Sequence, residues 1–236
     1  MACPICKGAG WLRANVRYGH PSFGRLFQCE CLLAQVDERR VADLMRFSAL
    51  DAFRDKTFEN FDPKVPGVDR AYEHARRFAR DPRGWLVLHG TYGCGKTHLA
   101  AAIANEAVRR GTPALFTIVP DLLDHLRSAF SPNNDLEYDE LFERVRSAQL
   151  LVLDDLGTES ATPWAREKLY QIINYRYNYH QPTVITTNRR LSEIDDRIRS
   201  RMTDEAFCTV VELAAEDYRQ KRPGERRRSK PSSGRD

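Results

Sequence analysis

Gly90-Thr91-Tyr92-Gly93-Cys94-Gly95-Lys96-Thr97 satisfies every fixed position of the phosphate-binding loop G-x-x-x-x-G-K-[ST]. Glycines let the backbone turn tightly, so that successive N–H groups point at phosphate oxygens. A helix N-terminus just beyond adds partial positive charge. In this chemistry Lys96 reaches the β- and γ-phosphates and the Thr97 hydroxyl sits on Mg²⁺. Leu150-Leu151-Val152-Leu153-Asp154-Asp155 is an apolar run that ends in two acids. Asp154 is placed to hold Mg²⁺ and Asp155 to polarise an attacking water as general base. Asn188, at the end of Thr183-Val184-Ile185-Thr186-Thr187, orients that water or caps a helix. Arg197 and Arg201, four residues apart, share a helix face. They either reach a γ-phosphate across a subunit boundary or form a solvated basic surface.

A second kind of chemistry stands at the N-terminus. Cys3 and Cys6 form C-x-x-C, and Cys29 and Cys31 form C-x-C. Two such knuckles separated by glycines suit tetrahedral Zn²⁺, which holds together modules too small for a core of their own. His20, between them, is a reserve ligand. Disulfides compete with this reading but are disfavoured where thiols stay reduced. A redox C-x-x-C competes too, but no βαβ pattern surrounds it. Cys94 and Cys208 read as packed thiols.

The elements that must position these groups follow from hydrophobic patterning. Near-continuous apolar runs at Trp85–His89, Ala114–Ile118, Leu150–Asp154, Thr183–Thr187 and Cys208–Glu212 read as buried strands. Helices are expected at Asp69–Arg80, Thr97–Arg110, Pro120–Phe130, Asp139–Ala148, Pro163–Tyr179 and Arg197–Met202. Strands alternating with helices predict an α/β fold, a five-stranded parallel sheet between helical layers. The stretch from Leu32 to Phe53 reads as helical. The organisation expected is a zinc module at 1–33, a helical linker at 34–56, an ATPase domain at 57–220 and a basic disordered tail at 221–236.

The chain has 236 residues, 42% hydrophobic and 30% charged, as expected of a globular protein. No membrane span and no apolar leader stand out, which points to a cytoplasmic protein. The net charge is +4, yet the segment from Lys221 onward carries seven basic residues against two acidic, a net of +5. Such a tail adds non-specific nucleic-acid affinity or only solubility. A GTPase is disfavoured, because Asn188 is followed by Arg189-Arg190-Leu191 and no Asn-Lys-x-Asp segment is present.

Together, Gly-Thr-Tyr-Gly-Cys-Gly-Lys-Thr-His-Leu-Ala from Gly90, Leu-Leu-Val-Leu-Asp-Asp-Leu-Gly from Leu150, Thr-Thr-Asn from Thr186 and Arg-Ile-Arg-Ser-Arg-Met from Arg197 resemble one family. It is the AAA+ ATPases of the DnaC/DnaI helicase-loader and IstB transposase-helper group, over about residues 57 to 219. The resemblance implies nucleotide contacts from Gly90, Gly93, Cys94, Gly95, Lys96, Thr97 and His98, and a Walker B pair at Asp154 and Asp155. It also implies sensor 1 at Asn188, an arginine finger at Arg201 with Arg197 as second candidate, and a sensor-2-like contact from Arg219. The segment Thr57–Phe61 looks like the stretch that packs near the adenine ring. Many members carry Glu where Asp155 stands, so the shorter acid implies slow hydrolysis. The implied cofactors are ATP, Mg²⁺ and Zn²⁺. The implied partners are a DnaB-type replicative helicase gripped by the N-terminal module, single-stranded DNA, and further copies of the chain assembled by ATP. The alternative within the group is a transposition helper that assembles on duplex DNA.

Overall fold

The computed structural model describes residues 3–32, 47–129, 135–158 and 162–218, with 135–137 in backbone only. The chain divides into two compact units between Arg46 and Phe47. Most of the helix read across Leu32–Phe53 lies outside the described residues, as do Arg219 and the basic tail. Of that stretch, Leu32 is helical, and Ala49–Phe53 is a short 3₁₀ helix and not α-helix. Ser48 sets it: its hydroxyl accepts from Leu50 N–H at 3.3 Å and from Phe116 N–H at 3.2 Å.

The first unit is built on two strands too short to stand out in the sequence, β1 (Trp11–Arg13) and β2 (Leu26–Gln28). They pair antiparallel with Leu12 opposite Phe27.

The second unit is a five-stranded sheet. Its strands are β3 (Trp85–Gly90), β4 (Ala114–Ile118), β5 (Leu150–Asp154), β6 (Thr183–Thr187) and β7 (Cys208–Leu213). They lie in the order β4-β5-β6-β3-β7, and every described pairing is parallel. The helices are α1 (Asp69–Arg80), α2 (Lys96–Arg109), α3 (Val119–Ala129), α4 (Asp135–Ser147), α5 (Pro163–Asn178) and α6 (Asp196–Met202). Each strand and helix expected from Asp69 onward is present, with ends displaced by a few residues at most.

The side-chain period of two divides each strand between two apolar layers. Leu86, Leu88, Phe116, Val152 and Val184 join Leu99, Ile103 and the alanines of α2 in one buried cluster that also takes in Ala71, Ala75 and Phe78 of α1. The run Ala100-Ala101-Ala102 is fully buried, small enough to bring α2 close to the sheet. On the other face lies Trp85, whose ring meets Tyr177 of α5 edge-on at 5.9 Å and whose indole N–H donates to Gln181 O at 3.0 Å.

Helix starts follow local chemistry. Thr162 caps α5, its hydroxyl accepting from Ala165 N–H, with Pro163 in the first turn. Asp195 caps α6 through Arg197 N–H. Arg176, fully buried on α5, ties the far end of the sheet together. It donates to the carbonyls of Arg146, Ala148 and Pro182, to Gln181 Oε1 and to the Thr183 hydroxyl. Burial lowers its pKa to about 9.

Candidate nucleotide and metal sites

Parallel strands present their C-terminal ends on one edge, and the Gly90–Thr97 loop, Asp154, Asp155 and Asn188 gather there. The loop after β3 leads straight into α2, whose N-cap is Gly95. Lys96, buried to its head group, donates from Nζ to the carbonyls of Gly90 at 2.9 Å and Thr91 at 2.7 Å. The Cys94 thiol donates to the Thr91 carbonyl at 3.0 Å, so it packs the loop from inside. Glycine is required at Gly93, where φ is +71° and a Cβ would fall 1.7 Å from Asp217 Oδ1. It is required equally at Gly95, at φ +104°, where a Cβ would lie 2.8 Å from the Phe61 ring. The segment after β7 lies against the same loop: Tyr218 N–H donates to Gly93 O, and Thr91 Oγ1 to Ala215 O.

Asp154 is the electrostatic centre. The Thr97 hydroxyl donates to its Oδ2 at 3.1 Å, and the Thr186 hydroxyl to its Oδ1 at 2.6 Å. Burial, reinforced by the neighbouring Asp155 carboxylate, raises its pKa to about 6 against the pull of those hydroxyls and of Lys96. A buried carboxylate with a raised pKa facing a phosphate loop is suited to a divalent cation, whose charge favours the ionised form.

The strand order explains the contact. β6 lies between β3 and β5, so Thr186 stands between the loop's strand and the acid's strand. Asp155 follows in the left-handed region, φ +59°, and its N–H donates to the same Thr186 hydroxyl at 3.0 Å. Thr186 was thus missed by sequence reasoning. Its one signal was the Thr-Thr-Asn run, read there for Asn188 alone. Asn188 stands just past β6, and its Oδ1 is buried with no hydrogen-bond partner among the described residues. It does not cap a helix: the next short helix starts after Arg190.

An aromatic wall borders the loop. Phe61 stacks on Tyr72 at 5.7 Å and meets His98 edge-on at 5.2 Å. His98 Nε2 donates to Thr57 O at 2.8 Å, and burial lowers its pKa. The segment 57–61 and His98 therefore meet beside Gly95, a surface suited to a flat heterocycle.

The two arginines of α6 differ. Arg197 is exposed, its guanidinium 4.3 Å from the centre of the Tyr170 ring, and it pairs with Glu167 and Asp195. Arg201 is half-buried and donates to Asn174 Oδ1, the Arg197 carbonyl and the Tyr170 hydroxyl.

In the first unit the four cysteine sulfurs converge, all within 4.8 Å of one another. Cys3 and Cys29 are 3.8 Å apart at sulfur, Cys6 and Cys31 3.3 Å. A tetrahedron with Zn–S of about 2.3 Å has edges of about 3.8 Å, so the four fit a zinc ion. The Cys31 thiol, and then Gly10 N–H donating to Cys6 Sγ at 3.3 Å, favour the Cys6 thiolate. His20 stands outside the cluster and accepts from Ser22 N–H.

A family profile described as IstB-like ATP binding protein matches residues 23–225. The chain belongs to this family. The replicative helicase loader DnaC of Escherichia coli (strain K12) is 28% identical over 151 residues, which is 63% of this chain and 61% of that protein. The replicative helicase loader DnaI of Bacillus subtilis (strain 168) is 29% identical over 139 residues, 56% of this chain and 43% of that one. The chain thus spans less than two thirds of these relatives. The crystal structure of the DnaC helicase loader superposes with a TM-score of 0.61 and 27% identity, covering 69% of this chain and 98% of that one. The fold and motifs are therefore those of the DnaC/IstB-like AAA+ group, an ATP-binding family. Among the described residues no helix is long and apolar enough to cross a membrane.

Proposed function

We propose that this protein is an ATPase that loads a DnaB-type replicative helicase onto single-stranded DNA. ATP binding drives assembly of its copies, and slow hydrolysis, stimulated by DNA or partner, drives release. The observation that carries the reading is Asp154 bridged between Thr97 and Thr186 at the mouth of the phosphate loop, in a chain similar to proteins named as helicase loaders. Gly90, Gly93, Cys94 and Gly95 line the phosphates, Lys96 turns from its carbonyl partners to the β- and γ-oxygens, and Thr97 and Asp154 hold Mg²⁺. Asp155 activates water and Asn188 orients it. His98 with Phe61 borders the base. Arg201, or Arg197, reaches a neighbouring copy's γ-phosphate, and Arg219 contacts phosphate within the chain. Cys3, Cys6, Cys29 and Cys31 hold a structural Zn²⁺. The working divisions are a zinc module at 1–33, a linker at 34–56, an ATPase domain at 57–220 and a tail beyond, in a cytoplasmic protein.

The test is affinity capture of the tagged chain from host lysate with ATP and Mg²⁺, followed by a loading assay on single-stranded DNA with any helicase recovered. Recovery of a replicative helicase, with loading lost in Lys96→Ala, supports the proposal. Recovery of a transposase with a duplex-DNA footprint moves the chain to the transposition branch of the family. Recovery of neither rejects both.

A further inference from the structure

The zinc-binding unit exposes apolar surface that a small module would ordinarily hide. Tyr18 is 90% exposed, Leu26 64%, Trp11 46% and Phe23 42%. These side chains are ordered relative to one another. Residues directly opposite in an antiparallel pair share a face, as do alternate residues of one strand. With Trp11 opposite Gln28 and Arg13 opposite Leu26, one face carries Trp11, Arg13, Leu26 and Gln28. The Arg13 guanidinium lies 5.2 Å from the centre of the Phe23 ring, and Phe23 meets Tyr18 edge-on at 5.4 Å. Arg13 and Phe23 thus link the hairpin face to Tyr18 through a cation–π contact.

The exposed side-chain charge around these rings is mostly positive. Between Cys3 and Leu32 stand Lys7, Arg13, Arg17 and Arg25, all exposed, against the single acid Glu30. Exposed rings select a partner with faces to stack on, and the cations select an anion. Single-stranded nucleic acid offers both along its length, whereas a duplex hides its base faces.

We propose that this module is a single-stranded nucleic-acid platform, in which Trp11, Tyr18 and Phe23 stack bases and Arg13, Arg17 and Arg25 neutralise phosphates. Aromatic and arginine side chains also anchor protein interfaces, and the experiment separates the two occupants. The inference rests on the four thiolates holding zinc but not on the helicase-loader reading.

The test uses the full zinc-loaded chain without nucleotide and follows the anisotropy of a fluorescein-labelled 20-mer of deoxythymidine. The basic tail is the same in every variant, so its contribution cancels in the comparison. Tyr18→Ala and Trp11→Ala should each weaken binding about five-fold or more, the loss of one stacked base. Arg17→Ala should lower the slope of log affinity against log salt by about 0.7. Zinc content, read with a chromophoric chelator, shows that each variant keeps its module. Tyr18 lies outside the strands, so its variant tests the face even if Trp11→Ala loses zinc. Zinc-loaded Tyr18→Ala binding the oligonucleotide as tightly as the parent overturns the proposal. The same unchanged binding with loss of helicase capture assigns the face to a protein. If no helicase is captured at all, the loader reading fails while the oligonucleotide result stands.

Discussion

Ionised Asp154 should destabilise the free protein. Burial raises its pKa from an ordinary 3.8 to about 6. A carboxyl whose folded pKa lies above its unfolded one costs stability wherever it is ionised. The cost is full above pH 6, declines as pH falls through 6 toward 3.8, and is gone below that. The shift corresponds to about 3 kcal/mol at neutral pH. In Asp154→Asn that charge is removed, while the amide oxygen still accepts from Thr186 and the amide nitrogen can donate to the Thr97 hydroxyl. For a unit of this size 1 kcal/mol moves the melting temperature by about 2–4 °C. The variant should therefore melt up to about 6–12 °C above the parent at pH 7.5 in nucleotide-free, Mg²⁺-free buffer, while losing Mg²⁺-dependent ATP binding. Fluorescence of the buried Trp85 reports the transition of this unit. At pH 5 the gain should shrink to about half. A variant that melts at or below the parent at pH 7.5, or whose gain is the same at pH 5, would refute the reasoning.

Gly93→Ala should lose ATP affinity by equilibrium binding, because its Cβ would collide with Asp217 at a φ of +71°; pairing it with Asp217→Ala removes the collision but not the backbone strain. Cys29→Ser should release the zinc measured by chelator titration while leaving the Trp85 melting transition in place, since the two units are separately compact. Arg176→Met should cost about 3–5 kcal/mol in urea unfolding, since it takes the guanidinium donor from the buried carbonyls of Arg146 and Ala148, whereas Pro182 O keeps Leu151 N–H. Asn188→Ala should lower ATP turnover at least about ten-fold with little change in ATP affinity, and an equal loss of both would contradict a role confined to the attacking water.

The second unit was legible because its signals are local. Five apolar runs and the glycine loop each carry their own period or spacing, and parallel strands bring their ends to one edge without further instruction. Thr186 was not legible in that way. Its contact with Asp154 depends on β6 being inserted between β3 and β5, and strand order leaves no mark on the spacing of either segment. Arg176 was hidden for a related reason. In Asn174-Tyr175-Arg176-Tyr177 it reads as a surface residue, and only the packing of α5 under the sheet gives its five oxygen partners. The four cysteines were legible from their pairing, but the hairpin between them was not, since three-residue strands show no alternation.

The inserted strand also ties the two acids together. The Thr186 hydroxyl has a single proton, which it gives to Asp154 Oδ1, and it receives one from Asp155 N–H. The Asp154 carboxylate and the backbone of the next acid are therefore held by one atom of one side chain. Asn188 follows just past the end of that strand, two residues beyond Thr186, and Thr187 anchors that stretch by donating to Leu156 O at 2.7 Å. A displacement of the end of β6 cannot move Asn188 without straining the bonds that place Asp154 and Asp155. The placement of Asn188 and of the two acids thus depends on one strand end, which argues that in this fold the strand between the two motifs, and not either motif alone, sets the geometry of the site.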